Sequence, residues 1–109
     1  MKAMSVHQPY ASQIASGEKA IEFRSWATKY RGPLLICATQ KPYEDYPVGV
    51  AVCIVQLADC RPSTRRELGG DDPEGVISWV LRDPVPLSVP FPVKGKQRMY
   101  EVDFPEGAV

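Results

Sequence analysis

Residues 2–6 read roughly as polar–apolar alternation and predict a short strand. The segment that follows places Tyr10, Ala11, Ile14 and Ala15 at helical spacing, with Pro9 suited to a first turn and Gly17 to a C-terminal cap, so a helix of about two turns is expected on one apolar face. Residues 20–26 alternate Ile21 and Phe23 against Glu22 and Arg24, the mark of a half-buried strand with its aliphatic and aromatic side chains toward the core. Gly32 and Pro33 break the chain before a continuous apolar run at 34–38, which predicts a buried strand. Residues 48–58 give the longest strand signal, rich in β-branched side chains and long enough to bend through a barrel.

The remainder is less regular. Residues 41–46 are polar, aromatic and turn-like. Residues 61–68 carry Pro62 with Ser63 or Thr64 as a cap and predict a second short helix. Residues 69–75 form an acidic loop, and 76–81 another strand. Pro84, Pro86, Pro90 and Pro92 restrict residues 83–92 to loop or sheet edge, because proline cannot donate to a ladder. Residues 99–104 close the pattern with an alternating strand. Five to six short strands with two small helices and no repeated βαβ rhythm predict a mainly β, α+β chain built as a mixed β-barrel or curled sheet rather than a doubly wound fold.

A length of 109 residues fits one domain over residues 1–109, able to bury roughly 60–70% of its unfolded surface. No apolar run approaches the ~20 residues of a membrane span, and the first ten residues lack the apolar core of a signal peptide, so a cytoplasmic address without membrane association is expected. Cys37, Cys53 and Cys60 each sit in or beside an apolar stretch and read as reduced thiols. With one His and no C-x-x-C spacing, no metal site is expected, nor any organic cofactor. Thirteen basic side chains balance thirteen acidic ones, so an anionic ligand would have to be held by a local cluster.

The densest polar cluster runs from Gly17 to Trp26, followed by Lys29-Tyr30-Arg31. Strand parity puts Glu22 and Arg24 on one face. Lys19 joins them only if it lies in the turn that Gly17 permits after the helix. Taken by spacing alone, such charges are usually a solvated face with weak ion pairs. His7 lies at a strand end without a second imidazole, which leaves a His-based triad unsupported. Trp26, beside Ser25, is the best candidate to stack on an unpaired base; Tyr30 is a further one and Trp79 reads as core, while Tyr43 and Tyr46 sit in a turn. Lys94, Lys96 and Arg98, with Lys29 and Arg31, would make a phosphate-contacting strip if they share a side. Asp71, Asp72 and Glu74 would repel such a ligand and should lie away from it.

The order Gly17-x-Lys19-x-x-Glu22-x-Arg24 resembles the G-x-K-x-x-E-x-R signature of the ASCH domain, a family of small β-barrels in the PUA-like superfamily. Residues 1–10, with their Gln8-Pro9 turn, look like the family's opening strand. Thr28-Lys29-Tyr30-Arg31-Gly32-Pro33-Leu34 resembles its Y-R-G-P-L strand entry, and Val93-Lys94-Gly95-Lys96-Gln97 its late K-G-x-Q element. The resemblance implies a cleft beside the signature turn that binds RNA or a modified nucleoside, drawing on His7, Gln8, Lys19, Glu22, Arg24, Ser25, Trp26, Lys29, Arg31, Lys94 and Lys96. In that cleft Glu22 would accept from a base amino group.

Two other outcomes follow from the same residues. Some compact bacterial ASCH proteins resemble amidohydrolases that remove the acetyl group of N4-acetylcytidine, with the signature Lys catalytic, a Thr where Glu22 stands here, and a Glu from later in the chain. Lys19 and Glu22 would then be the catalytic pair, or Lys19 the centre of a weak ribonuclease. The Glu in place of Thr departs from the hydrolase pattern, and Glu67 and Glu74 are the later candidates. Alternatively the signature is a structural clasp in a protein-interaction module, with Glu22 and Arg24 binding each other.

Overall fold

The computed structural model describes residues 1–105; the last four positions of the expected domain lie outside the described residues. Six strands and one helix follow in the order β1 (Lys2–Val6), α1 (Tyr10–Ser16), β2 (Ile21–Arg24), β3 (Gly32–Ala38), β4 (Val50–Pro62), β5 (Ile77–Pro92) and β6 (Met99–Glu101). They form one curled, mixed sheet in the spatial order β2-β5-β4-β3-β1-β6, in which β1 and β3 run parallel and the other pairs antiparallel.

β3 shows why its apolar run does not alternate. Leu34, Ile36 and Ala38 enter one core with Met4, Val6, Val55, Leu57 and Trp79, while Leu35 and Cys37 enter a second core with Ala3, Ala51, Phe91 and Tyr100. A strand buried on both faces carries side chains of one class throughout. Helix α1 covers the first core with Ala11 and Ile14, packing against β3, β4 and β5. Gly17 ends it at φ 87°, donating its N–H to the Ile14 carbonyl, a left-handed cap that glycine adopts without steric cost.

Several expectations are corrected. Tyr10 is exposed and does not join the helix's buried face. In β2 the burial is inverted: Ile21 and Phe23 are only half-buried, and Glu22 is the buried residue of the strand. Residues 61–68 form no helix. The capping box of Thr64 and Glu67 is made, with Thr64 N donating to Glu67 Oε1 at 2.9 Å and Glu67 N to Thr64 Oγ1 at 3.2 Å. The turn stops there, because Gly69 and Gly70 follow at φ 67° and 103°. Residues 83–92 are strand: they pair with β4 alone, whereas Ile77–Val80 of the same strand lie between β4 and β2. The four prolines thus occupy an edge, as their missing donors require.

Candidate ligand cleft at the barrel seam

β6 is three residues long and pairs with β1 only at Lys2, Ala3 and Met4. Past Met4, β1 pairs with no residue of β6, and residues 93–98 run beside it outside the ladder, close enough that Gly95 abuts Ser5. β2, at the opposite end of the sheet, comes round to face this gap. Its Arg24 Nη2 donates to the Ser5 carbonyl at 2.6 Å, a side-chain bond where a closed barrel would have a ladder. The gap is a cleft of about 540 Å³ lined by Ser5, His7, Tyr10, Glu22, Phe23, Arg24, Trp26, Thr39, Lys96, Gln97 and Arg98. That volume falls within the roughly 300–1,000 Å³ of small-molecule sites.

Its wall from β2 is an ion triad. Arg24 Nη2 meets Glu22 Oε2 at 3.0 Å and Lys19 Nζ meets Glu22 Oε1 at 3.7 Å. Lys19 reaches Glu22 because it lies outside β2, in the turn after α1, where its backbone N–H donates to the Gln13 carbonyl at 3.1 Å. Its ammonium also lies 5.3 Å from the Tyr10 ring centroid and 5.2 Å from that of Phe23. Lys19 therefore stands behind Glu22, among groups that suit an ammonium, and is not itself a lining residue. The Arg24 Nε is buried without a partner, an unmade hydrogen bond that costs about 1–3 kcal/mol.

Trp26 supplies the aromatic surface. Its ring sets edge-on to Trp79 at 4.6 Å between centroids, and Trp79, fully buried, donates its indole N–H to the Trp26 carbonyl at 3.0 Å. The Arg98 guanidinium stands 5.0 Å from the Trp26 centroid, and Arg98 holds φ 57°, a left-handed conformation uncommon for a non-glycine residue. On the opposite wall His7 Nδ1 and Thr39 Oγ1 are 2.7 Å apart. Ser5 Oγ and the Tyr100 hydroxyl are 2.5 Å apart, and burial pushes the Tyr100 phenol up to about 12.

His7, Glu22, Arg24, Trp26, Lys96 and Arg98 of the expected residues line this cleft, and Lys94 lies just beyond it. Gln8, Ser25, Lys29 and Arg31 do not line it. Gln8 is buried at the start of α1, donating from Nε2 to Ser12 Oγ and the Pro47 carbonyl and accepting from the Ser12 N–H, so its amide is consumed in holding the helix. Arg31 donates to the Thr28, Tyr30 and Cys60 carbonyls and faces Asp59 at 3.5 Å. Glu67 and Glu74 are also away from the cleft: Glu67 is held by Arg61, Thr64 and Ser78, and Glu74 closes a turn with Asp72. Ser5, Tyr10, Phe23, Thr39 and Gln97 were missed. Nothing in their local pattern marks them, because they meet only where the sheet curls round; only Tyr10, an aromatic next to the signature turn, carried a usable hint. Among the described residues no group of three His, Cys, Asp or Glu side chains gathers as a metal site, and no helix is long and apolar enough to cross a membrane.

Comparison with known proteins agrees with this architecture. Solved structures of an ASCH protein from Zymomonas mobilis, the unaltered protein and a Tyr-to-Phe variant, superpose with a TM-score of 0.70 at 18% identity. Both alignments cover 94% of this chain, with 87% and 89% of those chains matched. Activating signal cointegrator 1 from Homo sapiens is 32% identical and that from Mus musculus 30%, each over 92% of this chain. The chain spans about a fifth, 22%, of the length of these relatives. The family model of the ASCH domain matches residues 4–82, from β1 through the signature turn into β5, and the chain belongs to the ASCH domain family.

Proposed function

We propose that the seam cleft binds a nucleobase of RNA or of a modified nucleoside. The observation that carries this reading is the meeting, in one cleft of about 540 Å³, of an aromatic face at Trp26, a buried carboxylate at Glu22 and the cations Arg24, Lys96 and Arg98. An unstacked base offers a π-face and a hydrogen-bonding edge, and its phosphate offers negative charge, so each class of lining group has a counterpart. Trp26 stacks on the base, Glu22 accepts from an exocyclic amino group, and Arg98 and Lys96 approach the sugar–phosphate. Lys19 acts through Glu22, fixing the carboxylate and balancing its charge.

The open cleft favours this reading over a purely structural clasp, even though Glu22 and Arg24 do bind each other. Amide hydrolysis would need a second functional group to generate or deliver a nucleophile. The one carboxylate lining the cleft is already shared between two cations. The test is fluorescence anisotropy with labelled single-stranded RNA and titration with cytidine and N4-acetylcytidine, for the native chain and Glu22→Gln. Saturable binding that the substitution weakens more than tenfold supports the reading. Equal binding by both proteins overturns it. Release of cytidine from N4-acetylcytidine, followed by mass spectrometry, would instead make the chain a hydrolase.

A further inference from the structure

We infer that the ligand is an oligonucleotide strand occupying two adjoining subsites, an inference that rests on the base-binding reading of the seam cleft. A second concavity of about 440 Å³ abuts the first, and Ser5, Thr39, Lys96 and Gln97 line both. Its far wall is formed by Val93 and Lys94. The two hollows therefore adjoin as one groove, and its combined extent exceeds what one nucleoside fills.

The chemistry changes along the groove in the way a strand requires. The first hollow holds the carboxylate and the tryptophan, which read a base. The second holds no carboxylate; it has the half-buried aliphatic Val93, the amide of Gln40 and the exposed ammonium of Lys94. Such a surface accepts any base by contact and holds its phosphate by charge. Lys96 lines both hollows, where the phosphate linking two nucleosides would lie. The charge is local in a balanced chain: thirteen cationic side chains match thirteen acidic ones, yet Arg24, Arg98, Lys96 and Lys94 lie along this groove against Glu22 alone.

The groove's two halves are also fixed to each other. Gly95 packs so closely on β1 that a Cβ there would lie 2.7 Å from Ser5 Oγ, and Arg98 rests on Trp26. Residues 93–98 thus form a common bank for both subsites.

The experiment compares CMP and AMP with (rC)6 and (rA)6 on the full chain and on Lys94→Ala, which alters an exposed side chain outside the base pocket. The hexamers should bind at least tenfold more tightly than the mononucleotides, beyond the few-fold gain that several binding registers provide. Lys94→Ala should weaken hexamer binding and leave mononucleotide binding unchanged. Its plot of log affinity against log salt should be shallower by about 0.7, the loss of one single-strand phosphate contact. Hexamers no tighter than mononucleotides, or a Lys94→Ala hexamer affinity equal to the native one, overturn the two-subsite inference while leaving the base pocket in place. Failure of both lengths to bind at low salt overturns the base-binding reading itself.

Discussion

Arg24 holds Glu22 at 3.0 Å with the same Nη2 that donates to the Ser5 carbonyl at 2.6 Å. One guanidinium nitrogen thus aligns the cleft's carboxylate and draws β2 to β1. A lysine at this position keeps the charge, but its ammonium ends one bond short of Nη2 and is more strongly hydrated, so it does not reach the Ser5 carbonyl and Glu22 Oε2 together. Arg24→Lys should lower stability by about 1–3 kcal/mol in urea unfolding, the worth of charge-assisted hydrogen bonds lost from a largely buried site. Glu22→Gln keeps an acceptor for Arg24, and Lys19→Ala removes the 3.7 Å ion pair and the contacts with the Tyr10 and Phe23 rings but no short hydrogen bond, so both should move the unfolding midpoint little while weakening ligand binding more than tenfold.

Trp26 divides its ring between Trp79 and the cleft. Stacking of a base on an aromatic ring is worth about 1–3 kcal/mol per base. Trp26→Ala should weaken RNA binding by tenfold or more, and Trp26→Phe, which retains a π-face, by much less. Ligand should also quench the indole fluorescence of Trp26, because Trp79 is fully buried. Quenching undiminished in Trp26→Phe would contradict this placement.

The acid limb of stability should depend on Glu67. Arg61 grips both of its oxygens at 2.9 and 2.7 Å, and together with the Thr64 N–H this holds the carboxyl at about 2, below its ordinary 4.5. A carboxyl with a depressed folded pKa adds stability that is fully present above the unfolded value and is lost as pH falls through the folded one. The melting temperature of the native chain should therefore fall between about pH 4.5 and pH 2, and Glu67→Gln should show a flatter decline there. The Glu101 carboxyl, lowered by Lys2 and the N-terminal amine, contributes in the same direction.

Burial pushes the Cys37 thiol up to about 11 and the Cys53 thiol up to about 12. The thiolate is the reactive form. At pH 8 both should resist alkylation in the native state and react fully in denaturant, with mass spectrometry locating the adducts. Rapid native labelling of either would contradict the two-core packing of β3 and β4.

Gly95 has no positive φ, so alanine is allowed by its backbone and only space opposes it. The added Cβ would displace Ser5 Oγ, which is bonded to the Tyr100 hydroxyl. Gly95→Ala should shift residues 93–98 away from β1 and reduce hexamer affinity, with an unfolding cost of about 1–3 kcal/mol if Ser5 cannot yield. Calorimetry and anisotropy on the one variant separate the two effects.

Much of this molecule is legible in its sequence. The sharing of one strand face by Glu22 and Arg24 follows from period-two parity, and Gly17 permits but does not by itself require the turn in which the structure sets Lys19. The strands β1, β3 and β4 follow from apolar runs bounded by turn residues, whereas their order and the parallel pairing of β1 with β3 come from the structure alone. What parity could not supply is which face of β2 points inward: Ile21 and Phe23 are the hydrophobic pair, yet Glu22 is the more deeply buried because its charge is met by Lys19 and Arg24. The four prolines of β5 left loop and edge equally open, and only the pairing with β4 decides between them. Residues 61–68 carried a true capping box, but its local signal was overridden two residues later by glycines.

The length of β6 has a consequence for how such a barrel can change. The opening exists because a ladder stops at Met4, not because bulky groups were replaced by small ones. Aperture is set by backbone register, whereas most of the side chains that line it take no part in the register. Apart from Arg24, which also ties β2 to β1, the lining side chains can therefore be changed one at a time with the ladder intact. Adding two strand residues to β6, so that pairing ran on to Ser5 and Val6, would zip the aperture shut while leaving every lining side chain in the sequence.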